Sequence, residues 1–210
     1  MTDFVTIIQI SIAAVLIQNF VLTRFLGLCP FLGVSKKLSS ATGMGMAVTF
    51  VMTIASMCIW WVDQAILVAL HEEFLRTIVF ILIIASLVQL MELIMQKFTP
   101  ALYESLGIYL PLAATNCAIL GVVLINAGNS GPNPFTGEAF TFIEATINGA
   151  AAGLGFLLAL VLMAGLRERM DLADVPKTMD GFPIAFISAG LMALAFLGFS
   201  GLSFFPGNGG

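Results

Sequence analysis

Charge is scarce in this sequence. It has 8 Lys and Arg and 12 Asp and Glu among 210 residues, or 10%, against roughly 25% in soluble domains. With 60% hydrophobic residues and a mean hydropathy of +1.06, that scarcity excludes an ordinary soluble fold and identifies an integral membrane protein. No basic run and no stacking surface is present, which excludes a nucleic-acid partner, and the net charge of −4 sits in short loops. A Ser-His-Asp set, a Walker loop, a dinucleotide fingerprint and a flavin-type glycine motif are all missing, so nothing here makes or breaks bonds alone. Histidine occurs once, as His71 beside Glu72 and Glu73, and reads as a solvated loop residue. The three cysteines, at 29, 58 and 117, are odd in number, lie in apolar segments and form no C-x-x-C pair. That excludes a secreted disulfide framework and a zinc pair, and leaves a metal centre open. Met1-Thr2-Asp3 lacks the positive start of a secretory signal, so the first apolar segment is expected to stay as a membrane span.

Two of the cysteines stand in matching surroundings. Phe25-Leu26-Gly27-Leu28-Cys29-Pro30-Phe31-Leu32-Gly33 has its counterpart in Thr115-Asn116-Cys117-Ala118-Ile119-Leu120-Gly121, with Cys29 and Cys117 88 positions apart. At the same offset Leu22 falls on Leu110 and Val34 on Val122, which indicates an internal duplication. Each copy sets a thiol near helix-breaking residues, Gly27 and Pro30 in the first and Pro111 upstream of the second.

A spanning helix needs about 20 mostly apolar residues, and the gaps between charges supply six such segments, near 4–24, 39–62, 76–96, 101–126, 142–166 and 181–204. The expected fold is all-α and membrane-embedded, a single domain over 1–210 with one three-helix repeat about 4–97 and a second about 98–204. The run from Phe4 to Val34 would be roughly 46 Å long as one helix at about 1.5 Å per residue, which exceeds a hydrocarbon core of about 30 Å. The chain is therefore expected to break at Gly27 and Pro30. Lys36, Lys37, Lys97, Arg167, Arg169 and Lys177 all follow odd-numbered spans, whereas the opposite loops hold Asp63, Glu72, Glu73, Glu138 and Glu144 with Arg76 as the one basic residue. The positive-inside rule then puts both termini outside the cytoplasm. Three spans per repeat invert the second copy, so the cysteine motifs would face each other near mid-membrane. Gly43, Gly45 and Ala47 in the second span, with Gly149, Gly153 and Gly155 in the fifth, predict close helix packing. The glycine- and proline-rich connector from Asn126 to Ala139 is assigned no chemistry, and Phe205 to Gly210 reads as a frayed end.

Each candidate has a bland reading and a functional one. Cysteine packs well as a small hydrophobe, and Cys58 among Met57, Ile59 and Trp60 is read that way. The duplicated context moves Cys29 and Cys117 toward a shared site. An iron–sulfur cluster normally takes four thiolates, so either a second chain of similar design supplies two more or the site is not a cluster. Arg24 is a charge in or near the membrane, either snorkelling to an interface or offsetting an anionic centre. Thr115 and Asn116 can satisfy backbone freed at a helix break or donate to sulfur. Glu92, near Lys97, reads as a solvated interfacial carboxylate.

At these residues the chain resembles the NqrDE/RnfAE family of membrane subunits, most closely the A-type branch of Rnf complexes. The resemblance covers nearly the whole length and rests on Phe20-Val21-Leu22, on Phe25 to Lys37, on Leu106-Gly107-Ile108-Tyr109-Leu110-Pro111-Leu112 and on Thr115-Asn116-Cys117-Ala118. It continues through Arg167-Glu168-Arg169, Ala173-Asp174-Val175-Pro176 and the stretch from Gly190 to Phe196. The segment Gly128 to Gly137 departs from it, being longer and richer in Gly and Pro. The resemblance implies that Cys29 and Cys117 ligate an intramembrane 2Fe-2S cluster shared with a paralogous E-type subunit in a pseudo-symmetric heterodimer, with Arg24, Gly27, Pro30, Thr115 and Asn116 around them. It further implies a translocase component in the bacterial cytoplasmic membrane. Its partners would be lipid and the Rnf subunits B, C, D and G, with FMN or riboflavin and further iron–sulfur clusters on those other subunits. Electrons would pass between ferredoxin or NAD(H) centres and flavins, coupled to Na+ or H+ transport. The rival readings are the corresponding subunit of the Na+-translocating NADH:quinone oxidoreductase, a small inverted-repeat secondary transporter, and a purely structural subunit.

Overall fold

The computed structural model describes residues 4–67, 73–98, 116–127, 140–172, 176 and 181–201. All regular structure among them is helical: α1 (Phe4–Ile12, extended by a π turn, Ala13–Ile17), α2 (Leu28–Val34), α3 (Leu38–Val62, extended by a π turn, Asp63–Leu67), α4 (Glu73–Phe98), α5 (Cys117–Asn126), α6 (Phe142–Met170) and α7 (Phe182–Leu197, followed by a 3-10 turn, Gly198–Gly201). Three stretches, Leu38–Ala65, Arg76–Ile94 and Phe142–Met170, are long and apolar enough to cross a membrane, and shorter apolar helices occupy Ile7–Ile17, Cys117–Asn126 and Phe182–Leu197. The first half of the expected fourth span, the 128–139 connector, His71 and the C-terminal tail lie outside the described residues.

The pair α3 and α6 forms the centre. A Cβ at Gly153 would lie 2.6 Å from Thr49 Cα, one at Gly45 3.1 Å from Leu157 Cα, and one at Gly149 2.8 Å from Ser56 Cβ. Numbers rise along one helix as they fall along the other, so the two are antiparallel, and glycine at these places is what lets the backbones close. Met44, Val48, Met52, Ala152, Phe156, Leu160 and Met163 fill the core around the contact. The predicted close packing of the second and fifth spans is thus present.

Groups of polar side chains stand at both ends of this pair. At the end formed by the start of α6, Asn126 Nδ2 donates to Ser56 Oγ at 3.2 Å and to Ala145 O at 3.1 Å, and Asn148 Nδ2 donates to Asn126 Oδ1 at 2.7 Å. Mutual satisfaction is what allows such groups inside a membrane-type core. Three charged residues expected in loops are in fact buried helix residues. Glu144 is 4% exposed because it closes a capping box with Thr141 at the start of α6, and Asp63 pairs with Arg76 at an Nε–Oδ1 distance of 2.7 Å. At the other end, Arg167 Nη1 donates to Leu32 O at 2.8 Å and Glu168 Oε1 accepts from Leu38 N at 3.0 Å. One turn of α6 therefore holds both the end of α2 and the start of α3.

The first span departs from expectation. Its helix stops at Ile17, not near residue 24, and the chain runs without helix until Leu28. The interruption is longer and earlier than a break at Gly27 and Pro30. Pro30 does not break a helix at all: it is the third residue of α2, where the missing N–H has no intrahelical duty.

Candidate functional site

The non-helical stretch after α1 is pinned by Asn19, which is fully buried. Its Nδ2 donates to Gly155 O at 2.8 Å and Val15 O at 3.2 Å, while its Oδ1 accepts from Val21 N at 3.1 Å. Leu26 N donating to Phe20 O at 2.9 Å closes the turn that follows. Two left-handed residues then set the direction of α2: Phe25 with φ 54° and Gly27 with φ 78°. Glycine is required at 27 on two counts, since a Cβ there would also lie 2.9 Å from both Asn116 Oδ1 and Phe156 Cε2. A left-handed aromatic such as Phe25, 55% exposed, stores local strain.

Gly27 is where the two cysteine motifs meet. Its N–H donates to Cys117 Sγ at 3.0 Å, and Leu26 Cδ1 lies 2.7 Å from where a Cβ of Gly121 would stand. Asn116 is the N-cap of α5, its Oδ1 accepting from Ala118 N at 3.0 Å, so Cys117 is the first residue of that helix. Cys29 is the second residue of α2, whose N-cap is Gly27. From this meeting point the helices diverge. α2 runs toward Arg167, near the end of α6, and α5 runs toward Ala145 and Asn148, near its start. Gly27 itself faces Phe156, the midpoint of α6, so the two thiols begin opposed half-helices at mid-height of the bundle.

Both cysteines are free and exposed on the surface of this chain. Both lie in first turns, where unpaired backbone N–H groups and the positive end of the helix dipole favour a negative occupant. Arg24, between Asn19 and Gly27 in the sequence, is exposed with its guanidinium carbon 5.8 Å from the Phe20 ring centroid. Asn116 is 3% exposed, and its Nδ2 has no hydrogen-bond partner among the described residues. Thr115 and Pro111 lie outside the described residues. Among the described residues no three His, Cys, Asp or Glu side chains gather into a metal-holding group, and the two thiols are the described sulfur donors there. Cys58 is half-buried on α3 and Glu92 half-buried on α4, and neither joins the site.

A family profile described as "Rnf-Nqr subunit, membrane protein" matches residues 7–203. The chain belongs to this family. It is similar to the A-type component of the Na(+)-translocating ferredoxin:NAD(+) oxidoreductase complex of Acetobacterium woodii, with 57% identity over 94% of this chain and 98% of that protein. It is also similar to the A-type component of the ion-translocating oxidoreductase complex of Ectopseudomonas mendocina, with 55% identity over 93% of this chain and 97% of the relative, and to that of Syntrophotalea carbinolica, with 52% over 93% and 97%. In this Rnf-Nqr family chain, the sequence names the two cysteines and their neighbours but not what positions them. The Gly27 N–H, the Asn19 anchor and the Arg167–Glu168 clamp on the end of α2 and the start of α3 all act through backbone groups, and backbone groups leave no composition signal. The Asp63–Arg76 pair does leave one, opposite charges flanking a turn between apolar segments.

Proposed function

We propose that this chain is the A-type membrane component of an ion-translocating oxidoreductase, as its relatives are named, and that Cys29 and Cys117 supply two thiolates to a 2Fe-2S cluster completed by a paralogous E-type subunit. The observation that carries the reading is the convergence of two exposed cysteines, far apart in sequence, on one mid-height point with Gly27 N–H 3.0 Å from Cys117 Sγ. The donor set fits half of such a centre. Thiolate is the right ligand type, a backbone N–H already reaches sulfur, and both side chains are open to a second chain. When bound, the cluster supplies a one-electron carrier that divides a membrane of some 30 Å into two shorter transfers. What this chain's residues do is hold the sulfurs in place: Asn19 anchors the approach to α2, Gly27 permits its turn, and Arg167 fixes its far end while Glu168 holds the start of α3 that follows.

The antiparallel α3 and α6 and the diverging α2 and α5 support two inverted repeats of three spans each, the arrangement that puts the equivalent motifs at one depth. Both termini outside the cytoplasm, and coupling of electron flow to Na+ or H+ movement with the other Rnf subunits, complete the proposal. The Acetobacterium relative is named for Na+. Electron paramagnetic resonance at low temperature on the purified complex, with iron and acid-labile sulfide assayed, tests the central point. A reducible two-iron signal in the wild type should vanish in Cys29→Ser and in Cys117→Ser, while Cys58→Ser keeps it. Its survival in either of the first two variants would return both cysteines to packing roles.

A further inference from the structure

Asn116 caps α5 with only half of its amide. The Ala118 N–H requires an acceptor, so the atom 3.0 Å from it is Oδ1, and this fixes which way the amide is turned. The remaining NH2 group is left in a residue 3% exposed with nothing to donate to among the described residues. Buried amide donors are ordinarily paired, and an orphan one calls for an explanation. Capping does not provide it. Aspartate caps a helix N-terminus as well as asparagine does and buries no spare donor, and serine caps as well with only a shorter hydroxyl in place of the amide NH2.

Location provides the explanation. Asn116 immediately precedes Cys117, and its Oδ1 lies 2.9 Å from where a Gly27 Cβ would stand, while Gly27 N–H points to Cys117 Sγ at 3.0 Å. Asn116 thus shares with Gly27 the small space around the second thiol. We infer that the Asn116 side-chain NH2 is a hydrogen-bond donor to the anionic sulfur of the centre formed at Cys29 and Cys117, and that it raises the reduction potential there. The inference rests on the cluster reading above and adds to it the residue that sets the potential. A donor to sulfur stabilises the more negative, reduced form, so its removal makes reduction harder. Aspartate at this position would cap equally well but set a second negative charge beside the sulfur. Asparagine is the neutral cap that carries, beyond its capping oxygen, an amide NH2 with two donors.

The test uses the assembled complex, with EPR-monitored redox titration of Asn116→Ser and Asn116→Asp against wild type. Serine keeps an oxygen cap and removes the amide donor, so the midpoint potential should shift downward with the cluster content retained. Aspartate should shift it further, because a charge is added. A second readout keeps the result independent of stability: hyperfine spectroscopy on 15N-asparagine-labelled complex should detect a nitrogen coupling to the reduced cluster that Asn116→Ser abolishes. An unchanged potential in Asn116→Ser, or a coupling that survives it, overturns the inference and leaves Asn116 as a cap alone. Absence of any two-iron signal from the wild type would instead overturn the cluster reading itself, so the two failures are distinct.

Discussion

Gly153→Val is expected to remove most of the folded protein. A Cβ at 153 would lie 2.6 Å from Thr49 Cα and 3.0 Å from Thr49 Cβ. The nearest atom belongs to the backbone of α3, so no rotamer change relieves the contact and the two central helices must move apart. Overpacking where side chains can yield costs about 1–3 kcal/mol, and this site belongs at or above the top of that range. Total stability is on the order of 5–15 kcal/mol, and the α3–α6 contact organises the core and, through Gly155 and Phe156, the cysteine site. Fluorescence-detected gel filtration of detergent extracts should show loss of the monodisperse peak. Gly165→Ala and Gly190→Ala are the controls. Among the described residues nothing lies within 4 Å of a Cβ at either place, and alanine in a helix interior is favoured over glycine by roughly 0.5–1 kcal/mol. A Gly153→Val protein as abundant and as heat-stable as these controls would mean that the helices are not held at backbone distance.

The second large effect is expected at the Asp63–Arg76 pair. Asp63 is 2% and Arg76 9% exposed, and their contact has two arms, Nε–Oδ1 at 2.7 Å and Nη2–Oδ2 at 3.4 Å. Removing one partner of a buried pair leaves an uncompensated charge and costs roughly 3–5 kcal/mol, whereas replacing both by apolar residues of similar volume is often neutral or stabilising. Asp63→Leu and Arg76→Met should therefore each lower the thermal midpoint of the detergent-solubilised complex by many degrees, and the double variant should recover most of the loss. The pair bridges the end of α3 to the start of α4, so tryptophan fluorescence from Trp60 and Trp61 is a suitable probe. Additive losses in the double variant would show that the two charges are independently solvated.

The spans most legible in the sequence are those whose helicity and apolarity coincide. The segments 39–62, 76–96 and 142–166 are covered by α3, α4 and α6. The end of the first span is not legible, because Phe20-Val21-Leu22 and Phe25-Leu26-Gly27-Leu28 are as apolar as any helix. What ends the helix is one side chain, Asn19, bonding to Gly155 136 positions away, and a tertiary bond of that kind leaves no local pattern. Pro30 suggests a break through its general habit, and its position in the first turn of α2 reverses that habit. The Arg167-Glu168 string is legible as charge and therefore as a topology marker. Its structural work, gripping Leu32 O and Leu38 N, depends on which backbone groups α6 happens to meet. The cysteine motifs can be brought to one place in advance because their duplication is written in side chains. The unpaired Asn116 donor is not legible, since only burial distinguishes it from any other cap.

The divergence of α2 and α5 has a consequence for direction. Each half-helix presents its amino end to the middle and its carboxyl end to one face, so their fields add at the thiols yet oppose each other along the axis perpendicular to the membrane. On the proposed reading, a charge arriving at the centre would be stabilised from both sides and would meet much the same slope on leaving toward either. This part of the molecule is built as a well without a ramp. If it holds the cluster proposed above it would not rectify, and the direction of charge flow would be decided by the potentials of carriers elsewhere.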